Sequence, residues 1–287
     1  MTCSMNKILP PIDIPEVVNR ALTEDIGSGD ITAELIPVQT TIEAGIISRE
    51  DAILCGTPWV EQVFQQLDPE TSIDWHAKEG EFINADRVLL SVRGKARPIL
   101  SGERCALNFL QLLSGLATRS HFLAGLVAHT EVQLLDTRKT LPGLRSAQKY
   151  AVAIGGCSNH RSGLYDAFLI KENHINAFGS VSAAIGKARE LYPDKVVEVE
   201  VEDLSQLDQA LQYGADAIML DNFTLDELVE AVRVNKRQAK LEASGGIDEN
   251  TLVKVAETGV DYISIGALTK NCVAIDLSLL ITRGSAC

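Results

Sequence analysis

The chain has 287 residues, 46% of them apolar, enough for a sizeable core in one large or two ordinary domains. A formal net charge of −13 argues against a nucleic-acid partner, which clustered Lys and Arg would hold, but leaves room for a local basic pocket around a small anion. No apolar run approaches the roughly 18 residues of a membrane span, and residues 1–11 lack the basic-then-apolar order of a signal peptide, so no membrane is expected as a partner and the expected location is cytoplasmic.

In chain order, the first region runs to about residue 113 and mixes helix and strand patterns. Residues 14–22 read as a helix that ends in the turn-rich stretch 24–29, 41–48 alternate as a strand, and 58–67 form an amphipathic helix. Short strands follow at 71–75 and 88–92, an α+β pattern with an antiparallel sheet. A long helix is expected over 102–116, with Ser101 as its N-cap and Arg104 in its first turn, on the face of Asn108 and Gln111. From about residue 132 short apolar strands alternate with helices: strands at 132–135, 167–170, 196–201, 217–220, 241–243 and 262–265, helices at 146–154, 181–191, 204–213, 225–238 and 249–258. This alternation implies a parallel sheet. An open sheet and a closed barrel both fit it. The short, even strands, with no G-x-G-x-x-G after the first, favour a barrel, incomplete with six clear strands.

Nearly every one of these strands ends in polar residues that a plain core would not use. Asp136, Arg138 and Lys139 follow the first, and Lys171, Glu172, Asn173 and His174 follow the second. Asp221 and Asn222 close the fourth, Ser244, Gly245 and Gly246 the fifth, and Gly266 the sixth. In a parallel barrel these ends gather on one rim, where such folds place their sites. Within the third strand Glu198, Glu200 and Glu202 share one face and Val197, Val199 and Val201 the other. The valines suit the helix-covered outside, so the glutamates point inward. There a carboxylate needs a cation or a metal, and Lys139, Lys171, Arg138 and Arg161 are the available partners.

Ser244–Gly246 and Gly266 together have the form of a late-strand phosphate site beside a short helix start. Arg138 and Arg161 can each grip a carboxylate bidentately, which implies a ligand with more than one anionic group. His160 is either a general base or a hydrogen-bonding residue, and His174 reads as structural. The six cysteines (Cys3, Cys55, Cys105, Cys157, Cys272, Cys287) form no C-x-x-C pair and no zinc-ligand spacing, and read as reduced thiols; none sits beside a plausible base.

The run Leu134-Leu135-Asp136-Thr137-Arg138-Lys139-Thr140-Leu141-Pro142-Gly143-Leu144-Arg145 resembles the signature of the quinolinate phosphoribosyltransferase family, the carboxylating nicotinate-nucleotide pyrophosphorylases. So do Asn159-His160-Arg161, Leu169-Ile170-Lys171-Glu172-Asn173-His174, Glu198–Glu202, Ile218-Met219-Leu220-Asp221-Asn222, Gly266-Ala267-Leu268-Thr269 and the upstream Glu103–Phe109. The similarity extends over about 15–279. Cys157 stands where the family often has a third glycine, and Cys105 where it often has Thr.

The resemblance implies an α/β protein with an N-terminal α+β sandwich domain over 1–115, joined by a C-terminal tail at 272–287. A TIM-like α/β barrel, incomplete with seven strands, would occupy 116–271. It implies transfer of the phosphoribosyl group of 5-phosphoribosyl 1-pyrophosphate (PRPP) to quinolinate, with Mg2+ and no organic cofactor. The products would be nicotinate mononucleotide, pyrophosphate and carbon dioxide. It implies a homodimer in which Arg104 of the partner subunit completes each site. Arg104, Arg138, His160 and Arg161 would then hold the quinolinate carboxylates, and Lys139 and Lys171 would lie between the two substrates. Glu200 and Asp221 would face the ribose hydroxyls and Mg2+, while Ser244, Gly245, Gly246 and Gly266 hold the 5′-phosphate. The rival reading is a related phosphoribosyltransferase for another pyridine or aromatic acid, which would need fewer carboxylate-gripping cations. An idle barrel that only binds a phosphorylated ligand would not need Lys139, Lys171, Glu200 and Asp221 together.

Overall fold

The computed structural model describes residues 8–285, so Cys3 and Cys287 lie outside the described residues. Two compact units emerge: one gathers the chain up to 121, residues 140–156 and the chain from 271 onward, the other 122–139 and 157–270. No helix among the described residues is long and apolar enough to cross a membrane.

The first unit holds α1 (Ile14–Ile26), β1 (Thr41–Ser48), β2 (Ala52–Ile53), α2 (Thr57–Leu67), β3 (Ser72–Trp75), β4 (Phe82–Ile83) and β5 (Val88–Lys95). Helix α3 (Ala96–Leu126) follows them. Apolar residues at helical spacing make α1 one-sided: Ile14, Val17, Val18 and Leu22 are buried. Trp59, Phe64, Ile46, Leu90, Leu107 and Leu110 are fully buried in a single core that also receives Ala147, Tyr150 and Ala151 from a helix that follows the barrel's first strand in the chain. Helix α3 corrects two sequence expectations. It starts at Ala96, so Ser101 and Arg104 lie inside it. Ser101 donates instead to the Asp30 carboxylate at 2.7 Å, and Pro98 sits in the first turn, where a missing N–H costs nothing.

The second unit contains the parallel sheet. Its strands are β6 (Gln133–Leu135), β7 (Phe168–Ile170), β8 (Val197–Val201), β9 (Ala217–Asp221), β10 (Lys240–Ser244) and β11 (Tyr262–Ser264). Between β6 and β7 the chain forms α4 (Arg145–Ile154), which belongs to the first unit. The remaining helices are α5 (Glu172–Phe178), α6 (Val181–Leu191), α7 (Leu204–Gln212), α8 (Leu225–Asn235), α9 (Glu249–Ala256) and the short α10 (Ala267–Lys270). Strand order is β6-β11-β10-β9-β8-β7. A lone parallel bridge, Leu135 to Ser158, adds a one-residue seventh strand on the far side of β6. The barrel is therefore incomplete, with its seam between Ser158 and β7.

Helix starts follow local chemistry. Asp203, Thr224 and Asp248 cap α7, α8 and α9 by accepting backbone N–H bonds. Helix α8 stops at Asn235, short of the expected 238, because Lys236 and Arg237 turn into left-handed conformations with φ of 47° and 62°. Helix α5 is an addition: its polar start reads as a loop in the sequence.

The chain from 271 returns to the first unit and ends in β12 (Leu277–Ser285), which pairs antiparallel with β1 to give the sheet order β12-β1-β5-β3. Before β12 it crosses α3, where Ile275 N–H donates to the Gln111 carbonyl at 3.1 Å. A Cβ on Gly115 would stand 1.9 Å from the Val273 carbonyl oxygen, so only glycine lets the tail approach the helix. Gly115→Ala should lower stability by about 1–3 kcal/mol, the usual cost of forcing extra volume into a packed site. Thermal unfolding that matches the unsubstituted protein would show that the tail can move aside.

Candidate active site

The inward face of the barrel follows from strand period and register. Glu198 pairs across with Ala217, Glu200 with Met219, Met219 with Glu242, and Asp221 with Ser244. Alternation puts these residues on one face, while Val197, Val199 and Val201 are wholly buried on the other. Glu198 of β8 and Glu242 of β10, with β9 between them, both reach the His160 ring, which is possible only across a concave interior. Glu202 does not join them: β8 ends at Val201, and Glu202 is exposed.

The rim cluster comprises Lys139, Lys171, Glu200 and Asp221. Lys171 caps α5 with its backbone and donates from Nζ to Glu200. His174 accepts the Lys171 N–H at 3.0 Å, the structural role expected of it. Burial and the nearby Glu200 charge raise the Asp221 carboxyl above its ordinary value, and Lys171, Asn222 and Lys139 oppose the shift. Asp221 therefore senses all three of the other rim residues.

Two guanidiniums, those of Arg138 and Arg161, lie near each other. Burial, then the charge of Arg138, lowers Arg161 from its ordinary value. Arg161 Nη1 donates to the Ala167 carbonyl at 3.0 Å. Arg138 Nε is buried with no hydrogen-bond partner. Two repelling cations and an unsatisfied buried donor are what a polyanionic ligand would relieve.

The phosphate candidates sort themselves on inspection. Gly245 has φ of 103°, and a Cβ there would come within 2.2 Å of Asn222 Oδ1. A Cβ on Gly266 would stand 3.2 Å from Lys139 Cδ, which brings the start of α10 against a rim lysine. The α9 start is already supplied with an anion, because Asp248 accepts the N–H groups of Asn250 and Thr251. Of the two late helix starts, α10, beginning just after Gly266, is the one beside a rim cation.

His160 lies below the rim and only slightly exposed. Its Nε2 is 3.1 Å from Glu198 and 3.4 Å from Glu242. The nearest partner of Glu198 is an imidazole, and Arg161, one of the cations expected for the inward glutamates, also feels its charge. Burial alone would lower the ring's proton affinity, but the two glutamates outweigh it and push His160 up to about 10. Burial likewise raises Glu198. Arg161 N–H points at Nδ1 at 2.7 Å, which suits a neutral ring with a proton on one carboxyl instead. Both forms hold the same number of protons and one net negative charge.

Glu242 is not marked out by the sequence reading, and Asp136, read there as a rim residue, is instead buried. Glu242 is an acid between two buried apolar residues, Leu241 and Ala243, the same alternation that marks Glu198. Asp136, wholly buried, accepts the His160 N–H at 2.9 Å and the Asn159 amide at 2.7 Å. Gly156 takes the positive φ of this loop, 98°, and Cys157 does not, so the cysteine needs no strained backbone. Cys55, Cys105, Cys157 and Cys272 form no disulfide, and burial, then Asp25 and Glu24, pushes Cys105 up to about 11. Arg104 is exposed on α3, in the first unit.

Two family models match the chain: quinolinate phosphoribosyl transferase, N-terminal domain, over 30–114 and the C-terminal domain over 116–280. A Bacillus subtilis protein named as a probable carboxylating nicotinate-nucleotide pyrophosphorylase is 39% identical, over 94% of each chain. A tobacco decarboxylating quinolinate phosphoribosyltransferase is 38% identical over 95% of this chain and 83% of its own. The solved nicotinate-nucleotide pyrophosphorylase of Francisella tularensis superposes with a TM-score of 0.93 at 46% identity, covering 97% of this chain and all of that one.

The buried proton gives a pH signature. Because the folded His160 value, about 10, exceeds the ordinary 6.5, folding takes up a proton that the unfolded chain has released. This contribution is complete below about pH 6.5 and is lost as pH rises through about 10. Denaturant unfolding between pH 6 and 10 should show falling stability that His160→Gln flattens. An unchanged slope in that variant would place the proton elsewhere.

Proposed function

The chain belongs to the quinolinate phosphoribosyltransferase family, and on that premise we propose how its own residues carry phosphoribosyl transfer from PRPP to quinolinate. The products are nicotinate mononucleotide, pyrophosphate and carbon dioxide, the reaction that feeds NAD synthesis. The observation that carries the substrate reading is the Arg138–Arg161 pair: two mutually repelling guanidiniums, one with a buried unsatisfied Nε. A pyridine with two carboxylates answers both cations; a mono-acid leaves one repelled.

Arg138 and Arg161 grip the carboxylates, with His160 beneath them, and so place the ring nitrogen. The start of α10 at Gly266, with Ser244, Gly245 and Gly246, receives the 5′-phosphate. The ring nitrogen then bonds to C1′ as the C1′–oxygen bond to pyrophosphate breaks, through a state with cationic character on the sugar. Glu200 and Asp221 face that charge and the ribose hydroxyls. Lys139 and Lys171 lie between the substrates and stabilise the leaving pyrophosphate. Alkylation makes the ring a pyridinium that accepts the electron pair of the adjacent C–CO2 bond. Carbon dioxide leaves, and the ring carbon takes a proton.

Mg2+ fits the rim. Glu200 and Asp221 offer hard carboxylate oxygens, and the upward shift of Asp221 caused partly by Glu200 is a repulsion that a divalent cation removes. These two residues would hold it, directly or through PRPP, and when bound it adds positive charge at the departing pyrophosphate. The steps above call for no organic cofactor. We further assign the enzyme to the cytoplasm, where free thiols suit the redox state. We also propose a homodimer in which Arg104 of each subunit serves the partner's site.

Assay of the pure protein with PRPP, Mg2+ and either quinolinate or nicotinate tests the reaction: product and carbon dioxide from quinolinate alone are expected. Turnover of nicotinate without quinolinate would replace the substrate. Lys139→Ala should lower kcat about 10²–10³-fold with little change in KM; a change in KM alone would move Lys139 out of the chemistry. Arg104→Ala should lose at least about 30-fold in kcat/KM, the lower end for truncating a close charge pair. Mixing dissociated Arg104→Ala and Lys139→Ala subunits should restore about a quarter of wild-type activity, since half the dimers are mixed and each carries one intact site. No recovery would mean that Arg104 acts within its own subunit.

A further inference from the structure

A layer of buried charge beneath the rim takes no part in the steps above. Glu198 and Glu242 are 6% and 1% exposed, and both carboxylates converge on Nε2 of His160. From the end of β6, Asp136 holds the backbone N–H of His160 and the side-chain amide of Asn159. The His160 ring in turn receives the N–H of Arg161 at Nδ1. Three acids from three strands, β6, β8 and β10, therefore tie down the segment Asn159–Arg161.

Folding does not require this. Apolar side chains of similar volume at 198 and 242 would fill the layer, and such replacements of buried ionic groups are often neutral or stabilising. The arrangement even leaves Glu242 Oε1 buried without a hydrogen-bond partner, an expensive position for a carboxylate oxygen. Its benefit must lie in what the segment carries. Arg161 follows His160 directly, and its guanidinium is fixed at one end on the Ala167 carbonyl. A tilt of the imidazole shifts the Arg161 nitrogen bonded to it. Asp136, just past the end of β6, also holds the backbone N–H of His160.

We propose that Glu198 and Glu242 are positioning residues, which act through His160 to hold the Asn159–Arg161 segment so that Arg161 meets the second carboxylate of the pyridine substrate. The proposal rests on the reading above in which Arg161 grips that carboxylate. The effect should fall on one substrate: misplacing a binding group by about 1 Å can cost 10²-fold, and PRPP is held by other residues.

The test is the double variant Glu198→Gln/Glu242→Gln, which keeps side-chain volume and removes both charges, in the full-length enzyme. KM for quinolinate should rise at least about ten-fold, with KM for PRPP within about two-fold and kcat within about three-fold. Amide hydrogen exchange should quicken at residues 159–162 and stay unchanged on β8 and β10. Should the double variant fail to fold, Glu242→Gln alone, which leaves Glu198 on the ring, should show the same pattern at about three-fold. Equal rises in both KM values, or a quinolinate KM that does not move, would overturn the positioning role while leaving the reaction intact. A wild-type enzyme that makes no product from quinolinate would defeat the substrate assignment and the positioning role together. Stoichiometric metal that co-purifies with the wild type and is lost from the variants would also overturn it, by making the cluster a metal site.

Discussion

A carboxylate inside a closed sheet costs several kcal/mol unless a cation or a proton reaches it, and the whole site is arranged around that cost. Period-two alternation commits Glu198, Glu200 and Glu242 to the interior, because the opposite faces of their strands must be apolar to meet helices. Each acid then finds a different answer. Glu200 takes Lys171. Glu198 and Glu242 share His160. Asp221 rises in proton affinity because burial and the Glu200 charge outweigh the opposing Lys171, Asn222 and Lys139. The charge layers are ordered by depth, with a proton-bearing brace below and a lysine–carboxylate rim above.

That order separates two jobs. The rim keeps its lysines half-exposed or exposed, open to an anion from solvent. The brace is closed to water, so its hydrogen bonds are stiff and its geometry is set before any ligand arrives. Arg138 lies close enough to depress Arg161, a repulsion that, on the proposed reading, an anion with two carboxylates would relieve. On that reading specificity for a diacid would follow from repulsion as much as from attraction, since a mono-acid would leave one guanidinium facing the other.

The scaffold shows the same economy of small residues at close approaches. Gly115 admits the returning tail against α3, and Gly245 admits Asn222 against the late phosphate loop. The missing barrel strand has shrunk to a bridge at Ser158, directly before Asn159–Arg161. The seam of the barrel thus opens where the Asn159–Arg161 segment begins, and Asp136, not a strand ladder, carries that segment's backbone.

Alternation and polar strand ends were enough to read a parallel sheet, to favour a barrel over an open sheet, and to turn Glu198 and Glu200 inward, because each is a one-dimensional pattern with a local physical cause. The resemblance of the Leu134–Arg145 run added the reaction. Other features needed coordinates. Helix α3 begins at Ala96 because tertiary packing overrides the local cap signal of Ser101, whose hydroxyl goes to Asp30 instead. Glu202 has the spacing of an inward residue but lies past the end of β8. The partner of Glu198 is a histidine 38 positions earlier, together with a second glutamate from a strand not adjacent to its own. Sequence spacing decides which face a side chain occupies, since that depends only on backbone period. Which charges meet across the barrel depends on closure and register, and only the tertiary structure sets those.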